Sequence, residues 1–188
     1  MLVVISTFST APKERLDNAK QLAESLNGTI HIGGTNYTDN FIDILKNTDD
    51  DLLYLEDDIE VCTNFLDRVQ DALKDKEPDK IVSFFRLFPA PNTDKEPIHL
   101  FSEMQCIYIP KVCFKPIIDR LDYFKDNFAD YKHNNTEMLI ACTSALKEFY
   151  IHLPCLVQQH KWNSTISPNW IDTQTKYFID DIDNHITE

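Results

Sequence analysis

Three consecutive carboxylates, Glu56, Asp57 and Asp58, follow directly after the short apolar run from Leu52 to Leu55. An apolar run of this length that ends in acidic residues is typical of a buried β-strand followed by a polar loop. Because side chains alternate along a strand, we expect Glu56 and Asp58 to share one face and Asp57 to lie on the other. Paired carboxylate oxygens suit Mg²⁺ or Mn²⁺, which in turn can carry a diphosphate. The alternative interpretation of the same pattern is a solvated acidic loop.

The composition restricts how a diphosphate could be held. A length of 188 residues with 43% hydrophobic residues suits one globular domain. The chain has three glycines, which argues against a G-x-G-x-x-G dinucleotide loop and against a P-loop, because both need glycine where the backbone approaches phosphate. A bound diphosphate would have to be held in another way, and a metal ion is the simplest.

Charge and hydropathy argue against several further classes of protein. The net charge of −13 opposes broad electrostatic binding to nucleic acid or anionic lipid, although it allows a local basic groove. No apolar run approaches the roughly 20 residues of a membrane span. The start, Met1 to Ile5, lacks a basic leader, and the five cysteines include no C-x-x-C pair. These features predict a cytoplasmic protein without a membrane span, disulfides or a zinc site.

Predicted strands and helices alternate along residues 1–167, which indicates an α/β three-layer sandwich with a mostly parallel central sheet. Residues 168–188 place apolar residues at near-helical spacing among aspartates, which predicts an acidic amphipathic helix or tail that docks on the body or contacts a partner. We predict strands at 2–7, 29–32, 52–55, 81–88, 105–109 and 149–153, with a loop at 89–97. We predict helices from Pro12 to Leu26, at 39–46, after a cap at Thr63, at 110–121 and after a cap at Thr136.

Three short motifs together resemble one family of enzymes. They are Leu-Tyr-Leu-Glu-Asp-Asp-Ile at 53–59, Met-Gln-Cys-Ile-Tyr-Ile-Pro-Lys at 104–111, and Leu-Pro-Cys-Leu-Val-Gln-Gln-His at 153–160 with Ser164 after it. The chain resembles small GT-A-type glycosyltransferases and is similar to the lipopolysaccharide-biosynthesis and procollagen galactosyltransferase family and its short phage-encoded relatives. It departs from the family pattern in having two glutamines before His160 and no glycine after it.

The resemblance implies a GT-A-like fold over residues 1–167 and transfer of a sugar from a nucleoside diphosphate, with UDP as the family-level expectation. It implies that Asp58 is the main ligand of Mn²⁺ or Mg²⁺ and that His160 supplies a third ligand from a distant segment. Glu56 would lie near the ribose or bind the ion through water, and Asp57 fits either role. The ion would neutralise charge as the diphosphate leaves.

The resemblance also implies a donor pocket around the first loop. Ser6, Thr7 and Phe8 would line it, because backbone amides and the N-terminus of the next helix suit a polar ligand. Arg15, one turn into that helix, would reach the base or a phosphate; its alternative is a solvated helix face. Lys161 would lie against the diphosphate as a point charge.

An inverting transferase needs a carboxylate that takes the proton from the acceptor hydroxyl. Glu137, next to the cap Thr136, is the predicted base, and Asp130 and Glu103 are the alternatives. An acid in the first turn of a helix also serves the helix dipole. A retaining enzyme would need no such base.

The acceptor is open among a saccharide, a protein and a hydroxymethylated DNA base, which an enzyme can reach by flipping the base out. A phage-encoded enzyme would act in the host cytoplasm. One rival function is nucleotidyl transfer, which usually uses a glycine-rich first loop that is absent here; another is a non-catalytic nucleotide- or partner-binding module with a degenerate transferase fold. A DNA acceptor would use the basic residues of the second half: Lys111, Lys115, Arg120, Lys125, Lys132, His133 and Lys161.

Overall fold

The computed structural model describes residues 1–87, 93–128, 136–160 and 174–180. These residues form nine strands and five α-helices, with three short 3-10 turns at Ile98–Leu100, Lys111–Cys113 and Ser144–Leu146. The strands are β1 (Leu2–Phe8), β2 (Thr29–Gly33), β3 (Leu52–Glu56), β4 (Ile59–Val61), β5 (Val82–Ser83), β6 (Lys95–Pro97), β7 (Cys106–Ile109), β8 (Glu148–Ile151) and β9 (Val157–Gln159). The helices are α1 (Lys13–Leu26), α2 (Tyr37–Lys46), α3 (Phe65–Leu73), α4 (Phe114–Phe128) and α5 (Thr136–Ala141).

The central sheet has seven strands in the order β2-β1-β3-β7-β5-β8-β6, and β4 pairs with β9 in a separate two-stranded ladder. β1 runs parallel to β2 and β3, and β5 runs parallel to β8, whereas β7 and β6 are antiparallel to their neighbours. β1, β2, β3, β5 and β8 therefore share one direction. The predicted mostly parallel α/β sheet is confirmed, and the carboxyl ends of β1 and β3 meet at one edge, where open sheets of this kind bind ligands.

Two hydrophobic clusters, one on each face of the sheet, make the three layers. Val3 and Ile5 of β1 pack with residues of α1 and α3, whereas Val4, between them, packs with residues of α2, α4 and α5. This separation follows from the alternation of side chains along a strand. Helix α1 thus lies on one side of the sheet, and α2 and α5 lie on the other, so the edge at the end of β3 is accessible to residues from both layers.

Several predicted elements differ from the structure. The predicted strand at 81–88 is wrong beyond β5, because only Val82 and Ser83 pair as a strand. Strand β6 lies in the predicted loop at 89–97 and ends in Pro97 at the edge of the sheet, where a residue without an N–H is tolerated. Strands β4 and β9, each three residues long, were not predicted. Helix α4 is preceded by a 3-10 turn and extends to Phe128, beyond the predicted end.

The C-terminal prediction falls partly outside the described residues, which omit 161–173 and 181–188. Within 174–180, Phe178 is buried and forms a parallel bridge with Cys155, and Ile179 packs against the cluster on the α1 side. Among the described residues, no helix is both long and apolar enough to cross a membrane.

Candidate functional site

The carboxylate triplet lies at the carboxyl end of β3, where the strand turns into β4. Glu56 is the last strand residue, and Asp57 and Asp58 occupy the turn. Because the strand ends at Glu56, its alternation does not extend to the next two residues. Both aspartates instead approach the same guanidinium: Arg15 Nε donates to Asp57 Oδ1 over 2.7 Å, and Arg15 Nη2 lies 3.2 Å from Asp58 Oδ2.

Asp57 is fully buried, and both of its oxygens accept hydrogen bonds within the protein. Oδ1 accepts from Arg15, and Oδ2 accepts from the hydroxyl of Thr7. The amide of Asn18 also donates to the carbonyl oxygens of Asp57 and Ile59, over 2.9 and 2.8 Å. Asp57 therefore anchors the turn to β1 and α1, and Arg15 is a buried partner of this anchor instead of a solvated residue of the helix face.

Asp58 is the carboxylate with an uncommitted oxygen. Its Oδ2 accepts from Gln159 Nε2 over 3.1 Å and lies beside Arg15, whereas its Oδ1 is buried and has no hydrogen-bond partner. Burial raises the pKa of Asp58, and the charge of Arg15 opposes that rise. A buried carboxylate oxygen without a donor is costly unless a ligand supplies a positive charge or a proton. This atom fits the metal that the sequence predicts.

His160 lies directly across from Asp58. Strand β9 pairs antiparallel with β4, with Ile59 opposite Gln159, and the next amide, that of His160, donates to the carbonyl oxygen of Asp58 over 2.8 Å. Within the described part of the chain, no three side chains of His, Cys, Asp or Glu are close enough to form a metal cluster. Among the described side chains, a metal would therefore find the uncommitted Oδ1 of Asp58 but no complete set of three protein ligands. Lys161 lies outside the described residues.

Glu56 faces the other layer of the protein. It pairs in register with Ser6 of β1, and its amide donates to the carbonyl oxygen of Gln105 over 3.0 Å. Burial first, then the charges of Asp58 and Glu137, raise the pKa of Glu56 well above its ordinary value. The repulsion among these carboxylates would be relieved by a cation.

Glu137, the predicted base, lies in the first turn of α5, on the side of the sheet that Glu56 faces. Burial raises its pKa to about 7, and the charge of Glu103 adds to the rise. A carboxyl group with such a pKa can exchange a proton near neutral pH. Of the alternatives, Glu103 is buried and accepts from the amide of Leu87 over 3.1 Å, with Arg86 3.5 Å away; Asp130 lies outside the described residues.

No protein-family model and no curated protein sequence matches the chain. Similar solved structures include a glycosyltransferase involved in the glycosylation of the major capsid of PBCV-1, with 7% identity and a TM-score of 0.48 over 81% of this chain and 82% of that one. The glycosyltransferase GlyE of Streptococcus pneumoniae TIGR4 has 10% identity and a TM-score of 0.46; the match covers 80% of this chain but 45% of GlyE, so this chain spans less than half of that structure. A197 from STIV has 11% identity and a TM-score of 0.47 over 84% of both chains. Likenesses with TM-scores below 0.5 do not indicate a function for this chain.

Sequence reasoning missed two residues of the site. Tyr37, the first residue of α2, packs edge-on against the predicted pocket residue Phe8, with ring centroids 4.2 Å apart. Burial raises the pKa of Tyr37, and the charge of Glu56 adds to the rise. Gln159 holds Asp58. The doubled glutamine before His160 was a visible signal for Gln159, whereas nothing in the local sequence pointed to Tyr37.

Three of the basic residues suggested for a DNA groove lie in ion pairs, and Lys132, His133 and Lys161 lie outside the described residues. Lys111 lies at the opposite end of β3, because β7 runs antiparallel to it, and its ammonium is 3.5 Å from Asp49. Lys115 pairs with Asp119 at 2.6 Å, and Lys125 pairs with Asp39 at 3.2 Å.

Proposed function

We propose that this chain is a metal-dependent glycosyltransferase that moves a sugar from a nucleoside-diphosphate sugar to a hydroxyl group of a saccharide or protein acceptor. The observation that carries the proposal is the environment of Asp58. This carboxylate lies in the turn at the carboxyl end of β3, one oxygen is held by Arg15 and Gln159, and the other is buried without a partner. A site with one oriented and uncommitted carboxylate oxygen is ready to bind a hard cation.

Asp58 and His160 would hold Mn²⁺ or Mg²⁺, with Glu56 beside the nucleotide or bound to the ion through water. When bound, the ion would stabilise the negative charge that develops on the leaving diphosphate. Asp57 and Arg15 hold the turn in place, so that Asp58 needs no reorganisation when the donor arrives. Ser6, Thr7 and Phe8 end β1 next to this turn and would form the wall of the nucleotide pocket, with Tyr37 against Phe8.

Glu137 would act as the general base in an inverting reaction. With a pKa of about 7, it is ionised in part at neutral pH and can take the proton from an acceptor hydroxyl as the bond to the sugar forms. Its position, on the layer that Glu56 faces, separates the proton-accepting group from the Asp57 and Arg15 anchor on the opposite layer.

Thermal unfolding in the presence of nucleotides tests the proposal. UDP, GDP and CDP are each added with and without Mn²⁺, to the wild type, to Asp58→Asn and to Asp122→Asn, an exposed acid on α4 that serves as the control. We expect one nucleotide to raise the melting temperature only when Mn²⁺ is present, in the wild type and in Asp122→Asn but not in Asp58→Asn. A lack of stabilisation by all three nucleotides would refute the transferase function. Stabilisation without hydrolysis or transfer of the matching sugar nucleotide would indicate a binding module.

A further inference from the structure

The two glutamines before His160 create an ambiguity of register. Strand β9 has three residues and pairs only with β4, which also has three. A two-stranded ladder of this size is marginally stable alone. A slip of one residue would turn Gln158, instead of Gln159, towards Asp58, and it would move His160 away from the carbonyl oxygen of Asp58. Since the residue that would replace Gln159 is also a glutamine, the side-chain type at the position facing Asp58 does not itself distinguish the two registers.

The C-terminal segment 174–180 makes contacts that distinguish between the two registers of β9. The buried side chain of Gln158 donates to the carbonyl oxygen of Thr175 and accepts from the amide of Thr175, both over 2.7 Å. The side-chain amide of Gln158 thus pairs with the backbone of Thr175 as a peptide group of a neighbouring strand would. Both hydrogen bonds depend on a single rotamer of Gln158. A slip that moves Gln158 to the position of Gln159 would put Val157 opposite Thr175 and leave the buried donor and acceptor of Thr175 without partners, which is unfavourable.

The segment 174–180 is itself held to the body at several points. The backbone amide of Cys155 donates to the carbonyl oxygen of Tyr177 over 2.8 Å, and the backbone amide of Ile179 donates to the carbonyl oxygen of Cys155 over 3.0 Å. The hydroxyl of Thr175 donates to the carbonyl oxygen of Arg86. At the other end, the amide of Thr63 donates to Asp180 over 3.0 Å. The segment therefore provides a fixed reference for β9.

We propose that Gln158 and Thr175 form a register lock, by which segment 174–180 determines that Gln159 faces Asp58 and that His160 lies beside it. Gln158 is a positioning residue in this account: it acts on Asp58 through its neighbour in β9. The consequence for donor binding rests on the proposed function, whereas the lock itself is a property of the free protein.

The test uses Gln158→Met, which keeps the side-chain length but cannot form the two hydrogen bonds with the backbone of Thr175. Gln158→Glu is the conservative second variant, because it can still accept from the amide of Thr175. The control is Thr143→Val, which removes a different buried hydrogen bond, the one from the Thr143 hydroxyl to the carbonyl oxygen of Leu139 over 2.8 Å. The variants are compared at temperatures that give them equal global stability.

The first readout is hydrogen exchange of the His160 amide in the ligand-free protein. We expect exchange to accelerate about tenfold or more in Gln158→Met, less in Gln158→Glu, and not in Thr143→Val. Equal exchange in Gln158→Met and Thr143→Val would overturn the lock. This readout decides the inference even if the wild type binds no nucleotide, a result that would refute only the proposed function.

The second readout is the affinity for Mn²⁺ and the KM for the donor. In Gln158→Met, we expect the Mn²⁺ affinity to fall about tenfold and the KM for the donor to rise about tenfold. Groups that orient a metal ligand typically contribute 10–100-fold to metal affinity or activity. Faster exchange of the His160 amide with unchanged Mn²⁺ affinity would overturn the claim that the lock serves the site.

Discussion

The amide of His160 donates to the carbonyl oxygen of Asp58 over 2.8 Å, and this bond joins the two segments that the family resemblance implies should meet at one ion. The bond continues the ladder between β4 and β9 by one residue, and neither strand was predicted from the sequence. The resemblance thus pointed to a pair of residues whose connecting strands are too short to be recognised by hydrophobic alternation.

Replacing Asp58 by Asn should remove most of the activity. The amide keeps the size of the side chain but removes the negative charge that would bind the cation, so we expect Mn²⁺-dependent hydrolysis of the sugar nucleotide to fall by about 100-fold or more. The measurement is release of the nucleoside diphosphate at saturating Mn²⁺. Asp122→Asn should behave as the wild type, and an undiminished rate in Asp58→Asn would show that Asp58 is not the main ligand.

Replacing Arg15 by Met should destabilise the fold. Arg15 and Asp57 are almost completely buried, so removing the guanidinium leaves a buried carboxylate without its counter-charge. We expect a loss of about 3–5 kcal/mol in the free energy of unfolding, measured with urea at pH 7.5. Lys115→Met, which breaks the exposed pair with Asp119, should cost about 1 kcal/mol or less. Equal losses in the two variants would contradict the role of Arg15 as an anchor.

Replacing Glu56 by Gln should stabilise the ligand-free protein and weaken its response to a cation. Burial, and then the charges of Asp58 and Glu137, raise the pKa of Glu56, so this side chain opposes folding above its ordinary pKa. The Gln variant removes that opposition, together with one attraction for Mn²⁺. We expect a higher melting temperature without Mn²⁺ and a smaller increase on its addition; Glu60→Gln, an exposed neighbour on β4, should change neither.

Glu137 should make stability depend on pH in the opposite sense to an ion-paired acid. Its pKa rises on folding from 4.5 to about 7, so between these values the folded state binds more protons than the unfolded state. The contribution of Glu137 to stability must then fall as pH increases from 4.5 to 7. Glu137→Gln should reduce this fall, as measured by melting temperatures at pH 5 and 7.5, whereas the exposed Glu148→Gln should preserve it. An unchanged slope in Glu137→Gln would refute the raised pKa.

The sequence predicted the parts of the fold that are determined locally. Apolar runs identified β1 and β3, and helical spacing identified α1 and α2, because each of these elements buries one continuous face. Strand β6 and the ladder of β4 with β9 escaped prediction because pairing with distant partners, and not their own pattern, makes them strands.

In the site, too, the sequence predicted what is determined locally and missed what depends on distant contacts. The position of Asp58 after β3 followed from the sequence, but the burial of Arg15 did not. An arginine at that position of α1 fits a solvated face as well as a buried one, and only the turn formed by Asp57 and Asp58 determines that it points inward. Tyr37 likewise reaches the site through tertiary packing against Phe8.

The most direct test of the account is pulsed electron paramagnetic resonance of Mn²⁺ added to the protein with the nucleotide that stabilises it. If Asp58 and His160 hold one ion, the Mn²⁺ signal should carry nitrogen modulation from a directly bound imidazole. That modulation should persist in His99→Gln, an exposed control, and disappear in His160→Gln. Absence of histidine modulation in the wild type, or its survival in His160→Gln, would show that His160 does not bind the ion held by Asp58.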